Sequence, residues 1–155
     1  MCKAKNVYRI SCFVVLFLFI FANHAGAADW VLFGQTASGD IYYDKSSITE
    51  VGNIVRVWTK DIYNKDGKAN TYEILKNLGH AIANPDLLSH QLILRELDCA
   101  KGEMQSTALT VYTADGAVVF SQRKSFDEKK DIIPDSIFET LKNIVCSGGK
   151  TPMTI

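Results

Sequence analysis

The sequence predicts an α+β fold: a mainly antiparallel β-sheet with a C-terminal helix packed on one face and tethered by a disulfide. Three observations predict it. Short β-rich runs alternate with turn residues from Trp30 to Gln122. One amphipathic run with a capping signal follows, from Ser136 to Cys146. Two cysteines, Cys99 and Cys146, stand in the part of the chain that follows an export signal.

The export signal comes first. Lys3, Lys5 and Arg9 give a basic start, Ile10 to Ala22 is an apolar run, and Ala25-Gly26-Ala27 is a small-x-small cleavage site. That order is the one secretion requires. The apolar run is too short for a spanning helix, which needs about 20 residues. Residues 1–27 are therefore read as a cleaved signal peptide and 28–155 as one domain, periplasmic or secreted. Cys12 lies inside the apolar run behind Arg9-Ile10-Ser11 and Cys2 is earlier still, so neither fits a lipid-attachment site, and the chain is read as not lipid-anchored. No later stretch is apolar enough to span a bilayer.

Whole-chain totals mix these two segments. The 17 acids balance 17 bases overall, but three of the bases lie in the leader and none of the acids does. The exported part is thus mildly acidic. It offers no footprint for phosphate backbones, so no nucleic acid is expected as a partner. Its cysteine count falls from four to two. In an oxidising compartment two cysteines most simply form one bridge. A redox pair usually reads C-x-x-C, and a metal site needs more Cys or His at short spacing. A bridge closing so long a loop contributes about 4 kcal/mol in the chain-entropy picture.

The elements follow in order. Trp30 to Gln35 reads as a strand, Ser38-Gly39-Asp40 as a turn, and Ile41-Tyr42-Tyr43 as a second strand. Asp44 to Thr49 is a polar excursion around Ile48, and Gly52-Asn53 is a tight turn. Ile54 to Tyr63 is a long strand with Val55, Val57 and Thr59 on one face. Ile54, Arg56, Trp58, Lys60 and Ile62 alternate onto the other. Asn64 to Lys68 reads as a loop, and Tyr72, Leu75, Leu78 and Ile82 recur at helical spacing. Asn84-Pro85-Asp86 breaks any helix, and Leu87 to Asp98 is a strand reaching Cys99. Met104 to Tyr112 and Ala117 to Gln122 flank Asp115-Gly116, the clearest hairpin signal. Ser136 and Glu139 have capping-box spacing, and Ile137, Leu141, Ile144 and Val145 form an apolar stripe. Cys146 sits in the last turn of that helix, so a bridge to Cys99 pins the helix to the sheet.

Catalytic and ligand motifs are few. Cys146 to Thr151 imitates a phosphate loop, but Ile144 stands where its first Gly belongs and the segment closes a helix instead of opening one. Asn64, Asp66, Gly67 and Glu73 match four positions of a calcium loop, yet Ile62 occupies the first ligand position. A solvated loop is the better reading. His80 and His90 remain as the only histidines outside the leader, both read as surface residues. Arg123-Lys124 and Lys129-Lys130 make a small basic cluster diluted by Asp127, Glu128 and Asp131. The reading assigns no catalytic residue, no cofactor and no metal. Strand aromatics more often pack in cores than at interfaces, but Trp and Tyr also anchor interfaces. Tyr42, Tyr43, Trp58 and Tyr63 are the candidate binding surface.

With these elements placed, the chain resembles the surface-adhesin protein E family of small bacterial envelope domains. The residues that carry the resemblance begin with Trp30, Tyr42-Tyr43-Asp44, Ser46-Ser47-Ile48 and Val55-Arg56-Val57-Trp58. They continue with Leu97-Asp98-Cys99, Tyr112 to Gly116 with Val118, Ile133 to Ser136 and Val145-Cys146. Asn64 to Ser89 departs from the pattern. The resemblance implies an antiparallel sheet, a C-terminal helix tethered by a disulfide, and a Gram-negative envelope setting. It implies a non-enzymatic exported domain that binds a protein or envelope component. Two other readings stay open at this point: a periplasmic enzyme or small-ligand binder with a carboxylate or His site, and a structural subunit of an envelope complex.

Overall fold

The computed structural model describes residues 27–80, 82–123 and 128–148. The leader, the middle of the Arg123–Lys130 basic cluster and the phosphate-loop-like tail from Gly149 onward lie outside these residues.

Antiparallel pairing runs through every strand contact. β1 (Trp30–Thr36), β2 (Gly39–Asp44), β4 (Ile54–Tyr63), β5 (Leu88–Asp98), β6 (Glu103–Thr113) and β7 (Val118–Arg123) form one sheet in the order β1-β2-β4-β5-β6-β7. Short β3 (Thr49–Val51) pairs with β4, and two-residue β8 (Lys130–Asp131) pairs with β6. Two α-helices follow the sequence as α1 (Lys65–Asn77) and α2 (Ile137–Cys146). The expected fold class is the observed one, with one addition: both helices pack on the same face of the sheet.

Register explains the division into faces. Val55 pairs with Leu97, Val57 with Arg95, Thr59 with Ile93 and Asp61 with Gln91. These residues point to the helix-covered inner face. The intervening residues of the same strands, Arg56, Trp58, Lys60 and Ile62, point to the outer face, because side chains alternate along a strand.

Two separate apolar clusters hold the helices down. Leu141, Ile144 and Val145 of α2 pack with Tyr43, Val55, Val57 and Leu97. Leu75 of α1 packs with Tyr63, Leu88 and Val111. The stripe anticipated in α2 is the observed contact. Cys99 and Cys146 form the bridge, with 5.7 Å between their Cα atoms. Ser136 caps α2 by accepting a hydrogen bond from the Glu139 N–H at 3.2 Å. The reciprocal bond differs from the expected capping box: the Glu139 carboxylate accepts from the Asp135 N–H at 2.7 Å, one residue before the cap.

α1 departs from expectation at both ends. It begins at Lys65, where the sequence reads as a loop, and ends at Asn77, short of Ile82. Asn64 is the N-cap, its side chain accepting from the Gly67 N–H at 2.9 Å. The same side chain donates to the Ala37 carbonyl at 2.9 Å, which docks the helix start on the β1–β2 turn. Position 67 of the helix is glycine for a steric reason: a Cβ there would lie 2.1 Å from the Ser38 carbonyl oxygen. At the other end, the Gly79 and His80 N–H groups donate to the carbonyls of Lys76 and Leu75 at 3.0 and 2.9 Å, the pattern that terminates a helix. The hairpin at Asp115-Gly116 forms as anticipated, with Gly116 at φ +86°. Such a conformation costs other residues a Cβ clash.

Candidate functional site

The outer face gathers aromatic and aliphatic side chains that neither helix covers. β1 contributes Trp30 and Leu32, β2 contributes Tyr42, and β4 contributes Trp58, Lys60 and Ile62. Pairing brings them together: Leu32 lies opposite Tyr42, Tyr42 opposite Lys60, Trp58 opposite Leu94 and Ile62 opposite His90. Leu32 is 48% exposed and Ile62 40% exposed. The Lys60 ammonium lies 4.3 Å above the Trp30 ring and 5.9 Å from the Tyr42 ring. Burial among these rings pushes the Lys60 pKa down, with the Asp44 charge pulling the other way. A cation held on aromatic faces is attracted by the ring quadrupole. The lysine thereby bridges the Trp30 and Tyr42 rings across neighbouring strands.

The same face carries an ordered polar strip. Arg56 and Glu96 form an ion pair at 2.8 Å, and the Gln105 amide donates to Glu96 at 2.7 Å. Burial pushes the Glu96 carboxyl up, but hydrogen bonds from Arg56 and Gln105, with the Arg56 and Lys129 charges, hold it below its usual range. His90 stacks on Tyr112, ring centroids 4.9 Å apart. Burial first and the Lys60 charge second push the imidazole below its ordinary range.

The structure separates the four expected surface aromatics into two pairs. Tyr42 and Trp58 are half-buried on the outer face. Tyr43 and Tyr63 lie inside, 3% and 9% exposed, in the α2 and α1 clusters respectively. They are core residues, a correction to the sequence reading. Strand alternation is the reason: Tyr43 neighbours Tyr42 and must face the other way, and Tyr63 continues the Val55, Val57, Thr59 row. Trp30, Leu32 and Lys60 join the outer surface, although the sequence reading left them out of the candidate binding surface. Their signal was available in the β1–β2 turn, which sets the register.

The residues of the calcium-loop pattern serve the fold. Asn64 spends its side chain on capping, and Gly67 lies against the Ser38 carbonyl. Neither histidine lines the two cavities of the inner face. His80 is exposed and meets the edge of the Phe120 ring at 4.9 Å. His90 lies within β5, inside the strand expected over Leu87 to Asp98, and is half-buried where a surface residue was expected.

Between the two apolar clusters, the inner face is polar. Arg95 is 6% exposed. Its Nε donates to Thr59 at 3.1 Å and its Nη1 to Ser106 at 3.4 Å, while the guanidinium lies 4.6 Å from the Phe138 ring centre. The Gln91 amide donates to Asp61 Oδ2 at 2.8 Å. Burial pushes the Asp61 carboxyl up, against the opposing pull of Arg95 and Gln91. Burial likewise raises the Tyr63 phenol; Thr71 lies close enough to pull it back slightly, without reaching ordinary hydrogen-bond geometry.

Among the described residues, no helix is long and apolar enough to cross a membrane. The family described as Surface-adhesin protein E matches residues 30–147. No curated protein matches the chain. Among solved structures, crystal form II of Haemophilus influenzae protein E is similar at 12% identity and a TM-score of 0.56, covering 83% of this chain and 95% of that one. The selenomethionine form of the same protein is similar at 14% identity and a TM-score of 0.56, covering 83% and 94%. A further structure of it gives 14% identity and a TM-score of 0.53, covering 83% and 92%. These likenesses are likenesses of fold.

Proposed function

The chain belongs to the surface-adhesin protein E family, and on that premise we propose that it is a non-catalytic exported domain that docks a protein partner on its outer sheet face. One observation carries the proposal: two helices cover one face, while the opposite face carries Trp30, Leu32, Tyr42, Trp58 and Ile62 around a lysine held on aromatic rings. Rigid aromatic side chains flanked by a charged strip are the composition of interface anchors. The Arg56–Glu96–Gln105 strip supplies the polar margin.

Residues 1–27 serve as the export signal in this reading, and 28–155 as the domain that folds outside the cytoplasm. The bridge between Cys99 and Cys146 supports it, because such bridges persist in oxidising compartments. The solved relatives are named protein E of Haemophilus influenzae and the family name is that of a surface adhesin. A surface or envelope location for this chain agrees with both.

The test is chemical cross-linking in intact cells, comparing the natural sequence with Tyr42→Ser/Trp58→Ser. The proposal expects a discrete protein adduct that the double variant loses while retaining its disulfide and its thermal unfolding transition. An adduct formed equally by a folded double variant, or recovery of the natural chain as a free monomer only, contradicts it.

A further inference from the structure

The inner face holds a second, unrelated feature. Asp61 and Gln91 form a shared wall between two cavities. One, of about 480 Å³, lies toward α2 and includes Arg95, Lys130 and Phe138 in its lining. The other, of about 360 Å³, lies toward α1 and the β1–β2 turn. Ligand pockets commonly measure roughly 300–1,000 Å³, and both cavities fall in that range.

The smaller cavity has a definite chemistry. Asp61 is the only charged residue in its lining; the rest are neutral polar groups such as Asn70, Thr71 and Gln91, with Ile41, Ile62 and Ile74. Two buried side-chain oxygens among the described residues make no hydrogen bond within the protein, Asp61 Oδ1 and Tyr63 Oη. Both residues line this cavity. Gln91 engages Asp61 Oδ2 and leaves Oδ1 with its acceptor capacity. Buried acceptors without donors are costly, and two at one concave site define what fits there.

We infer that this cavity binds a small aliphatic ammonium compound, its cationic nitrogen donating to Asp61 Oδ1 and Tyr63 Oη and its carbon chain lying on Ile41 and Ile74. An ammonium group carries three donors and no acceptor, which matches a carboxylate oxygen and a phenol oxygen that lack donors. An anion does not fit, because the cavity presents it a carboxylate and no cation. Burial raises the Asp61 pKa against the pull of Arg95 and Gln91, and a bound cation would lower it again. The larger cavity differs in kind, since its lining sets Arg95 and Lys130 against Asp61 and Asp131 and so already pairs its carboxylates with cations. This site does not depend on the docking role of the outer face, and it stands or falls separately.

The experiment is titration of the oxidised protein with n-hexylammonium, followed by backbone amide NMR, with hexanoate and hexanol at equal concentration as controls. The inference expects saturable shifts centred on Asp61, Gln91 and the start of α1 with hexylammonium alone. Asp61→Asn keeps the shape of the carboxylate and removes its charge. It weakens binding by about tenfold or more, the usual worth of a charged hydrogen bond. Tyr63→Phe weakens it less. No saturable shift, equal binding of hexanoate or hexanol, or full retention of affinity in either folded variant overturns the inference.

Discussion

The two faces of the sheet solve opposite problems. The inner face is covered by α1 and α2 and contains the fully buried side chains Val55, Val57, Leu75, Leu88, Leu97 and Leu141. The outer face carries residues as large and as apolar, yet leaves Leu32 and Ile62 open to solvent. An antiparallel sheet tolerates one wet face, but that face is ordinarily polar. The difference teaches where to look for each kind of defect. Substitutions on the inner face should cost stability, and substitutions on the outer face should cost binding.

Breaking the covered face should give the largest effects. Replacing both Cys99 and Cys146 by Ala removes a constraint across 47 positions and should cost about 4 kcal/mol. Leu141→Ala should cost about 3 kcal/mol, because Leu141 is fully buried against four strand residues and its loss leaves a cavity. Chemical denaturation of each variant measures both. Equal stability of the oxidised and reduced natural protein would contradict the first.

Gly67→Ala should cost about 2 kcal/mol, even though alanine favours helix over glycine by about 1 kcal/mol. The reversed sign is diagnostic, because the Ser38 carbonyl has nowhere to go without breaking the β1–β2 turn. Stabilisation by this substitution would show that α1 does not pack as described.

A smaller effect has the opposite sign. Asp61 has a folded-state pKa above its unfolded value, so the protonated form is favoured in the fold. Its contribution is present at acid pH and is lost as pH rises through the folded pKa. Asp61→Asn should therefore raise the melting temperature at pH 7, and the gain should shrink as pH falls through the folded pKa and be gone below the ordinary aspartate range. A gain that persists unchanged at low pH would mean that packing, and not ionisation, is responsible.

The outer face should show the smallest stability change. Tyr42→Ser/Trp58→Ser should cost about 1 kcal/mol, the scale of cross-strand pair contributions.

Much of this contrast was legible in the sequence, and the rest was not for identifiable reasons. The Val55–Val57–Thr59 row announced the inner face of β4, and the Ser136 cap with its apolar stripe announced α2. The same alternation already placed Tyr63 inside; treating it as a surface aromatic ignored the period. Tyr43 needed the register against Thr59, a fact of pairing that composition does not contain. α1 was obscured because Asp66-Gly67 is ordinary turn chemistry. Only the contact with Ser38, distant in sequence, explains glycine in that helix. The polar band was least legible: Asp61, Gln91 and Arg95 read as exposed residues of alternating strands until register stacks them on the buried side.

The central claim, that the partner docks on the face the helices leave open, is tested most directly by photo-cross-linking in intact cells. A photoreactive residue at Leu32 samples the outer face, and one at Asn143 samples the exposed back of α2. A protein adduct from position 32 and none from position 143 is the predicted result. An adduct from position 143 alone, or the same adduct from both, would contradict the account.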